Sequence, residues 1–268
     1  MRVLGTRRSA SYDGGFDGPG ATRPIRPRRR LRIAVRIAKI VAALVVIVAL
    51  AGGALFVLTP PAGQATTRAE ALAQQRHIGY PGPTVPQYFA QALVATEDHR
   101  FYSDPGIDPF AMARAAASWI IGHKDQGGST IDQQLAKNLY TSGHSGFTQV
   151  FEQLALAVKL HLTYSHAEIL RLYAEVAYYG HGYYGLQAAS CGYFGHPPAD
   201  LTVTQGAMLA GVVNAPDFDD PITHPAQAEA RLSHVVGRMV TVGYLTARQG
   251  QQALDASLGL TPGDSPNC

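Results

Sequence analysis

Apolar and polar positions follow two regimes along this chain. From Ile40 to Leu58, nineteen successive residues carry no charge, IVAALVVIVALAGGALFVL. As a helix that run spans a hydrocarbon core of roughly 30 Å. It is preceded by a basic, Gly-, Ser- and Pro-rich stretch ending in RPIRPRRRLR. The reading is a disordered basic tail over 1–32 and a transmembrane helix over 33–59. A juxtamembrane linker over 60–85 leads to one folded domain over 86–258, and a disordered tail follows over 259–268. A signal peptide fits less well, because the tail is long and the apolar run exceeds a signal core.

Beyond residue 85 the period changes to that of amphipathic helices. VPQYFAQALVATEDHRF sets Phe89, Ala92, Leu93 and Thr96 on one stripe. Asp108 before Pro109 is an N-cap followed by proline in the first turn. SHAE (165–168), TVTQ (202–205) and TARQ (246–249) are capping boxes. Alternating strand patterns are almost absent. The expected fold class is all-α, or α with one minor hairpin. The Gly-punctuated YYGHGYY (178–184) reads as a packed turn.

Charge sharpens this division. Residues 1–59 hold 11 Lys and Arg against two acids, whereas the remainder holds 11 against 17. The basic balance therefore belongs to the tail. The domain lacks the surplus that nucleic-acid binding needs. Arginines ahead of the span place the N-terminus in the cytoplasm and the domain outside. Two distant cysteines, Cys191 and Cys268, make no zinc pattern and no disulfide framework, so a reduced, buried Cys191 is expected. The histidines are scattered without ligand spacing.

Two stretches carry candidate chemistry. In ATEDHRFYSDPGIDP (95–109), Glu97 and Asp98 end a helical pattern and a Gly/Pro turn follows. Taken alone, Glu97 is either a catalytic carboxylate or a solvated acid, and most surface acids are the latter. In GGSTIDQQLAKNLY (127–140), the glycines permit close backbone approach and Ser129 or Thr130 can cap a helix. Gln133 and Lys137 share one helix face, and Gln134 and Asn138 share the next. Amides and a lysine at a helix start suit phosphate and sugar hydroxyls; a capped, solvated helix has the same pattern.

Together the two stretches, in this order, resemble the family 51 glycosyltransferases, the peptidoglycan polymerases. The resemblance continues through YSHAEILRLYAEVAYYGHGYYGLQAASCGYFGHPPADLTVTQGAMLAGVVNAPDFDDP and RMVTVGYLTARQGQQAL, roughly residues 85–255. It implies a lysozyme-like helical domain with a smaller membrane-proximal lobe behind one transmembrane helix, in a monofunctional single-span protein. It implies polymerisation of lipid II at the cell membrane, with lipid II and the nascent glycan strand as partners, and cell-wall synthesis proteins as further ones. Glu97 matches the family's general base and Asp98 its neighbouring acid. Ser129, Thr130, Gln133, Gln134, Lys137 and Asn138 match the substrate-lining second motif. A divalent cation, magnesium, would assist the departing diphosphate without a dedicated protein site. SWII (118–121) is then expected to dip into the bilayer.

The chain departs from the family at several positions. Asp104 stands where the first motif has His, Asp132 where the second has Thr, and Glu175 where the fourth ends in Asn. The third motif's Arg-Lys pair and glutamate fall on Gln149, Val150 and Gln153. Glu152 is adjacent, but one residue turns a helix by about 100°, so only a local bulge would let Glu152 act as the missing catalytic acid. Slow polymerisation is the expected activity. The alternative is a membrane-tethered, non-catalytic scaffold that binds glycan or lipid II.

Overall fold

A computed structural model describes residues 27–120, 128–142, 144, 146–261 and 268. The chain divides into two compact units, residues 1–50 and 51–268.

Helix α1 runs from Pro27 to Leu58. It is long and apolar enough to cross a membrane, and every residue from 31 to 50 is exposed. The helix begins earlier than expected, since residues 27–32 are helical. Proline suits the first helical position, and the arginines and Leu31 after it are good helix formers. Most of the basic tail, residues 1–26, lies outside the described residues.

The second unit is helical. After a 3₁₀ turn at Ala62–Gln64 come α2 (Ala65–Gln75), α3 (Gln87–Glu97), α4 (Pro109–Ile120), α5 (Ile131–Tyr140), α6 (Phe147–Thr163) and α7 (His166–Val176). Then follow α8 (Leu186–Phe194), a 3₁₀ turn at Pro198–Asp200, α9 (Val203–Val212), α10 (Pro225–Thr241) and α11 (Ala247–Asp255). Among the described residues the extended pairing is one isolated bridge, Tyr178 with Tyr184, whose rings lie 4.7 Å apart. The expected minor hairpin reduces to this. All three capping boxes form, and Asp108 Oδ1 accepts from the amides of Phe110 and Ala111, each at 2.9 Å.

Two packed layers position the later site. α3 buries Phe89, Ala92 and Leu93 as its stripe requires, and packs on α9 and α10. At Gly206 a Cβ would stand 3.1 Å from the Phe89 amide, so glycine lets α9 approach α3 closely. α5 packs on α6 and α7 through Ile131, Leu135 and Leu139.

The stretch 60–85 is not a plain linker. Ala65, Ala69 and Ala73 are buried at helical spacing, and α2 lies on α7. The start of this stretch is held as well. Lys159 Nζ donates to the Thr59 carbonyl at 2.7 Å, and Tyr140 Oη donates to that of Ala62 at 3.1 Å. Alanine contributes little to a hydrophobic pattern, so the helix was easy to pass over. The C-terminal stretch also differs from its reading. The Thr261 amide donates to the Tyr193 carbonyl at 2.8 Å, and Cys268 forms a disulfide with Cys191. Cys191 is buried as expected, but not reduced; a sequence separation of 77 residues gave no framework to read. Of SWII, Ile121 and the side chains of Trp119 and Ile120 lie outside the described residues.

Candidate active site

The site forms where the end of α3 meets the start of α5. Asp98 caps α3 through its backbone, and its Oδ2 accepts from the Ile131 amide at 3.1 Å, fastening the two helices. The loop between them is pressed on α6. Gly106 has φ 85°, and a Cβ there would stand 2.7 Å from the Ala157 carbonyl oxygen. Its own carbonyl accepts from Thr130 Oγ1 at 2.7 Å. The Pro-Gly turn thus ties the loop that follows Glu97 to α6 and to the start of α5.

Glu97 is held at both oxygens. Oε2 accepts from Gln134 Nε2 at 3.0 Å, and Oε1 accepts from Arg231 Nη2 at 2.8 Å. Its side chain is only 7% exposed. Gln134 is oriented in turn, because Tyr173 Oη donates to its Oε1 at 2.9 Å. Tyr173 is buried, and that burial pushes its phenol well above the ordinary range, so it remains a donor. Arg231 is steadied by the Gly211 carbonyl at 3.1 Å. Both Glu97 oxygens retain a second lone pair. The result is an aimed carboxylate with acceptor capacity left, the arrangement a proton-abstracting base needs.

Glu97 sits at the junction of two cavities. One, of about 800 Å³, is lined by Gln134, Lys137, Asn214, Phe218, Gln227 and Arg231, among others. The other, of about 680 Å³, is lined by Asp98, His99, Arg114, Thr130, His234 and Arg238, among others. Thr96, Glu97, Gly128, Ser129 and His234 border both.

The second motif is divided between roles. Ser129, Gln134 and Lys137 face the first cavity. Gln133 does not share their face. It is buried, and its Oε1 accepts from the Thr130 amide at 2.9 Å, closing a capping box in which Thr130 is the N-cap. Thr130 also borders the second cavity. Asn138 lines a separate cavity with Gln75, Arg76 and Tyr184. Gly127 lies outside the described residues. Glu152 lies half-buried on α6 and borders neither cavity at Glu97, and α6 is a regular helix there, without the bulge that would redirect it. Gln149, Val150 and Gln153 border neither cavity either. Gln153 is buried and donates to Thr141 Oγ1 at 2.8 Å and the His144 carbonyl at 2.7 Å.

Beneath Glu97 lies a cluster of carboxyls. Asp98, Asp104 and Asp132 are all buried. Burial, reinforced by Asp98 and Asp104, pushes Asp132 up to about 8. Burial and the Asp104 charge push Asp98 up to about 7. Burial also raises Asp104. Neither Asp132 oxygen has a hydrogen-bond partner. The motif threonine expected at 132 would have been neutral there.

Arg231 was not among the residues that the sequence marked. With Gln227, His234, Arg238 and Thr241 it forms a stripe at spacings of four and three, while Ala228, Leu232, Val235 and Met239 fill the core side of α10. The stripe is readable in PAQAEARLSHVVGRMVT, but it looks like any solvated face.

The geometry defines the class first: a helical protein with a cleft built round one oriented carboxylate, flanked by amides and cations. Residues 63–240 match the family model described as Transglycosylase. The chain belongs to the transglycosylase family. It is 40% identical to penicillin-binding protein 1F of Bacillus subtilis over 177 residues, covering 66% of this chain and 25% of that protein. It is 38% identical to penicillin-binding protein 1A of Aquifex aeolicus over 175 residues, covering 65% and 24%. To penicillin-binding protein 1A of Neisseria gonorrhoeae it is 38% identical over 174 residues, covering 65% and 22%. The chain therefore spans about a quarter of the length of these curated relatives. The family match begins at residue 63, which agrees with α2 being part of the fold.

Proposed function

We propose that this chain is a peptidoglycan glycosyltransferase that polymerises lipid II into glycan strands. The observation that carries the reading is Glu97, ordered by Gln134 and Arg231 where two cavities meet. The 4-hydroxyl of an incoming lipid II meets Glu97, which takes its proton as the oxygen attacks the anomeric carbon of the growing strand. The bond from that carbon to the diphosphate breaks, and the diphosphate carries the electron pair away. A sugar hydroxyl is a weak nucleophile, and a positioned base contributes roughly 10²–10⁴-fold to such a step. Among the described residues the Lys137 ammonium has no hydrogen-bond partner, which suits it to an anionic or hydroxyl-rich substrate.

Magnesium belongs to this proposal as a companion of the diphosphate. The described residues contain no group of three or more His, Cys, Asp or Glu placed to hold it. The apolar α1 supports a cell-membrane location, and the arginines before it support a cytoplasmic N-terminus with the domain outside. Contacts with other cell-wall synthesis proteins belong to the same reading.

A second reading rests on Gln149, Val150 and Gln153. With no charge at these positions, the protein would bind glycan or lipid II as a tethered scaffold. Purified full-length protein given labelled lipid II separates the two. Long glycan supports the polymerase; lipid II binding with no product supports the scaffold.

A further inference from the structure

One residue of the second motif turns away from the cleft. Asn138 borders a cavity of about 490 Å³ between the end of α2 and the end of α5, with Gln75, Arg76, Ser142 and Tyr184. That volume lies within the range of small-ligand pockets, about 300–1,000 Å³. The cavity shares no lining residue with the two cavities at Glu97.

Arg76 caps the C-terminal end of α2, where a cation suits the helix dipole. Its guanidinium lies over the Tyr184 ring, 4.1 Å from the centroid, and its Nη1 donates to the Val176 carbonyl at 2.9 Å. The guanidinium is thus fixed from two sides, and most of its N–H groups stay uncommitted. Burial lowers Arg76 from its ordinary value; the charge acting against this comes from Tyr184 and not from a carboxylate. Among the described residues no acid pairs with Arg76, and none lines the cavity. The other polar groups are unspent as well. The side chains of Gln75, Asn138 and Ser142 have no hydrogen-bond partner among the described residues. Ser142 is also held at φ 50°, a left-handed conformation uncommon outside glycine.

One unmatched cation beside two amides and a hydroxyl specifies a ligand with one negative charge flanked by amide groups. A phosphate dianion exceeds the single cation, and a neutral sugar leaves it unmatched. We propose that this cavity binds the end of a short peptide, with its free carboxylate on Arg76. The guanidinium donates to both carboxylate oxygens, as its planar fork allows. The amides of Asn138 and Gln75 each donate and accept, which matches the N–H and C=O of the last peptide unit. Ser142 Oγ adds a further donor. Asn138 then has a ligand of its own, although the cleft does not use it. The site does not depend on the glycosyl-transfer reading, and its test needs no turnover.

The probes are N-acetyl-alanyl-alanine and its C-terminal amide, titrated against the full chain in detergent micelles and followed by NMR of the probe. Thermal unfolding is recorded for every variant. The acid is expected to bind roughly tenfold or more tightly than the amide, the usual worth of a charge-assisted contact. Arg76→Gln should remove that preference, and Arg76→Lys should recover part of it, since a point charge lacks the fork. Asn138→Ala should weaken both probes. Arg68→Gln, which removes a cation from α2 outside the cavity, should bind within about twofold of the original chain. Because Arg76 also holds the Val176 carbonyl, Gln75→Glu provides a second route. It brings a carboxylate to the cavity, leaves that bond in place, and should weaken the acid more than the amide. No binding, equal binding of acid and amide, or an acid preference unchanged in folded Arg76→Gln and Gln75→Glu overturns the site. Inorganic phosphate displacing the dipeptide at a lower concentration than the dipeptide itself needs would also overturn it. Arg76-dependent binding by a chain that makes no glycan leaves the site standing while the polymerase reading fails; glycan synthesis without such binding does the reverse.

Discussion

α5 and α10 face each other across Glu97, and they came by their roles differently. α5 carries a motif whose residues announce chemistry, yet two of them, Thr130 and Gln133, spend their side chains closing a capping box, and Asn138 turns to another cavity. α10 carries an ordinary amphipathic pattern. Its polar stripe nevertheless supplies Arg231, the cation on Glu97, and Arg238 on the far side. A motif fixes which residues a helix start needs without saying which of them meet substrate. A plain polar face becomes a wall of the site once a partner helix lies opposite.

The comparison can be sharpened by substitution. The largest effects should follow loss of the groups on Glu97. Arg231→Ala removes one partner of a nearly buried pair and should lower glycan synthesis by roughly 10²-fold or more, with some loss of stability. Arg231→Lys should rescue only part of it, because a point charge cannot hold Glu97 and the Gly211 carbonyl together. Gln134→Ala on α5 should lower turnover by roughly 10-fold or more while melting stays near that of the original chain. Gln133→Ala, one residue away, should do the opposite: about 1 kcal/mol of stability lost with the cap, measured by denaturant unfolding, and turnover per folded molecule little changed.

The carboxyl cluster gives a pH-dependent test. An aspartate titrates near 3.9 when unfolded, whereas Asp132 is pushed up to about 8 and Asp98 to about 7 in the fold. A raised folded value means that the favourable contribution is fully present below about pH 4 and is lost as pH rises through 7 to 8. Asp132→Asn should therefore stabilise the protein by roughly 1–3 kcal/mol at pH 8–9, with the gain shrinking toward pH 4. Thermal unfolding across this range measures it, and a pH-independent difference would show that Asp132 does not hold a proton. The smallest effect is expected from restoring the third motif. Gln149→Arg, Val150→Lys and Gln153→Glu together should leave turnover nearly flat, since none of these positions borders the cavities at Glu97. The new carboxylate would oppose the His144 carbonyl that Gln153 now donates to, at some cost in stability.

Much of this was legible in the chain. Strong local signals survived folding: the α3 stripe, the capping boxes and the Asp108–Pro109 start all formed where the residues put them. What escaped depends on distance in sequence. Arg231 meets Glu97 across 134 residues, and Cys268 meets Cys191 across 77. No periodicity reports such pairs. α2 escaped for another reason, because its buried face is built of alanines, whose burial leaves only a faint pattern. The resemblance singled out Glu97, but its orientation by Tyr173 through Gln134 belongs to the fold alone.

The central claim is that Glu97 takes the proton of the attacking hydroxyl. The direct measurement compares glycan formed from labelled lipid II by the full chain and by Glu97→Gln, at matched folding and with lipid II binding recorded for both. The account predicts measurable polymerisation by the original chain and a fall of roughly 10²-fold or more in the variant, with binding retained. Equal glycan synthesis by a folded Glu97→Gln protein would contradict it.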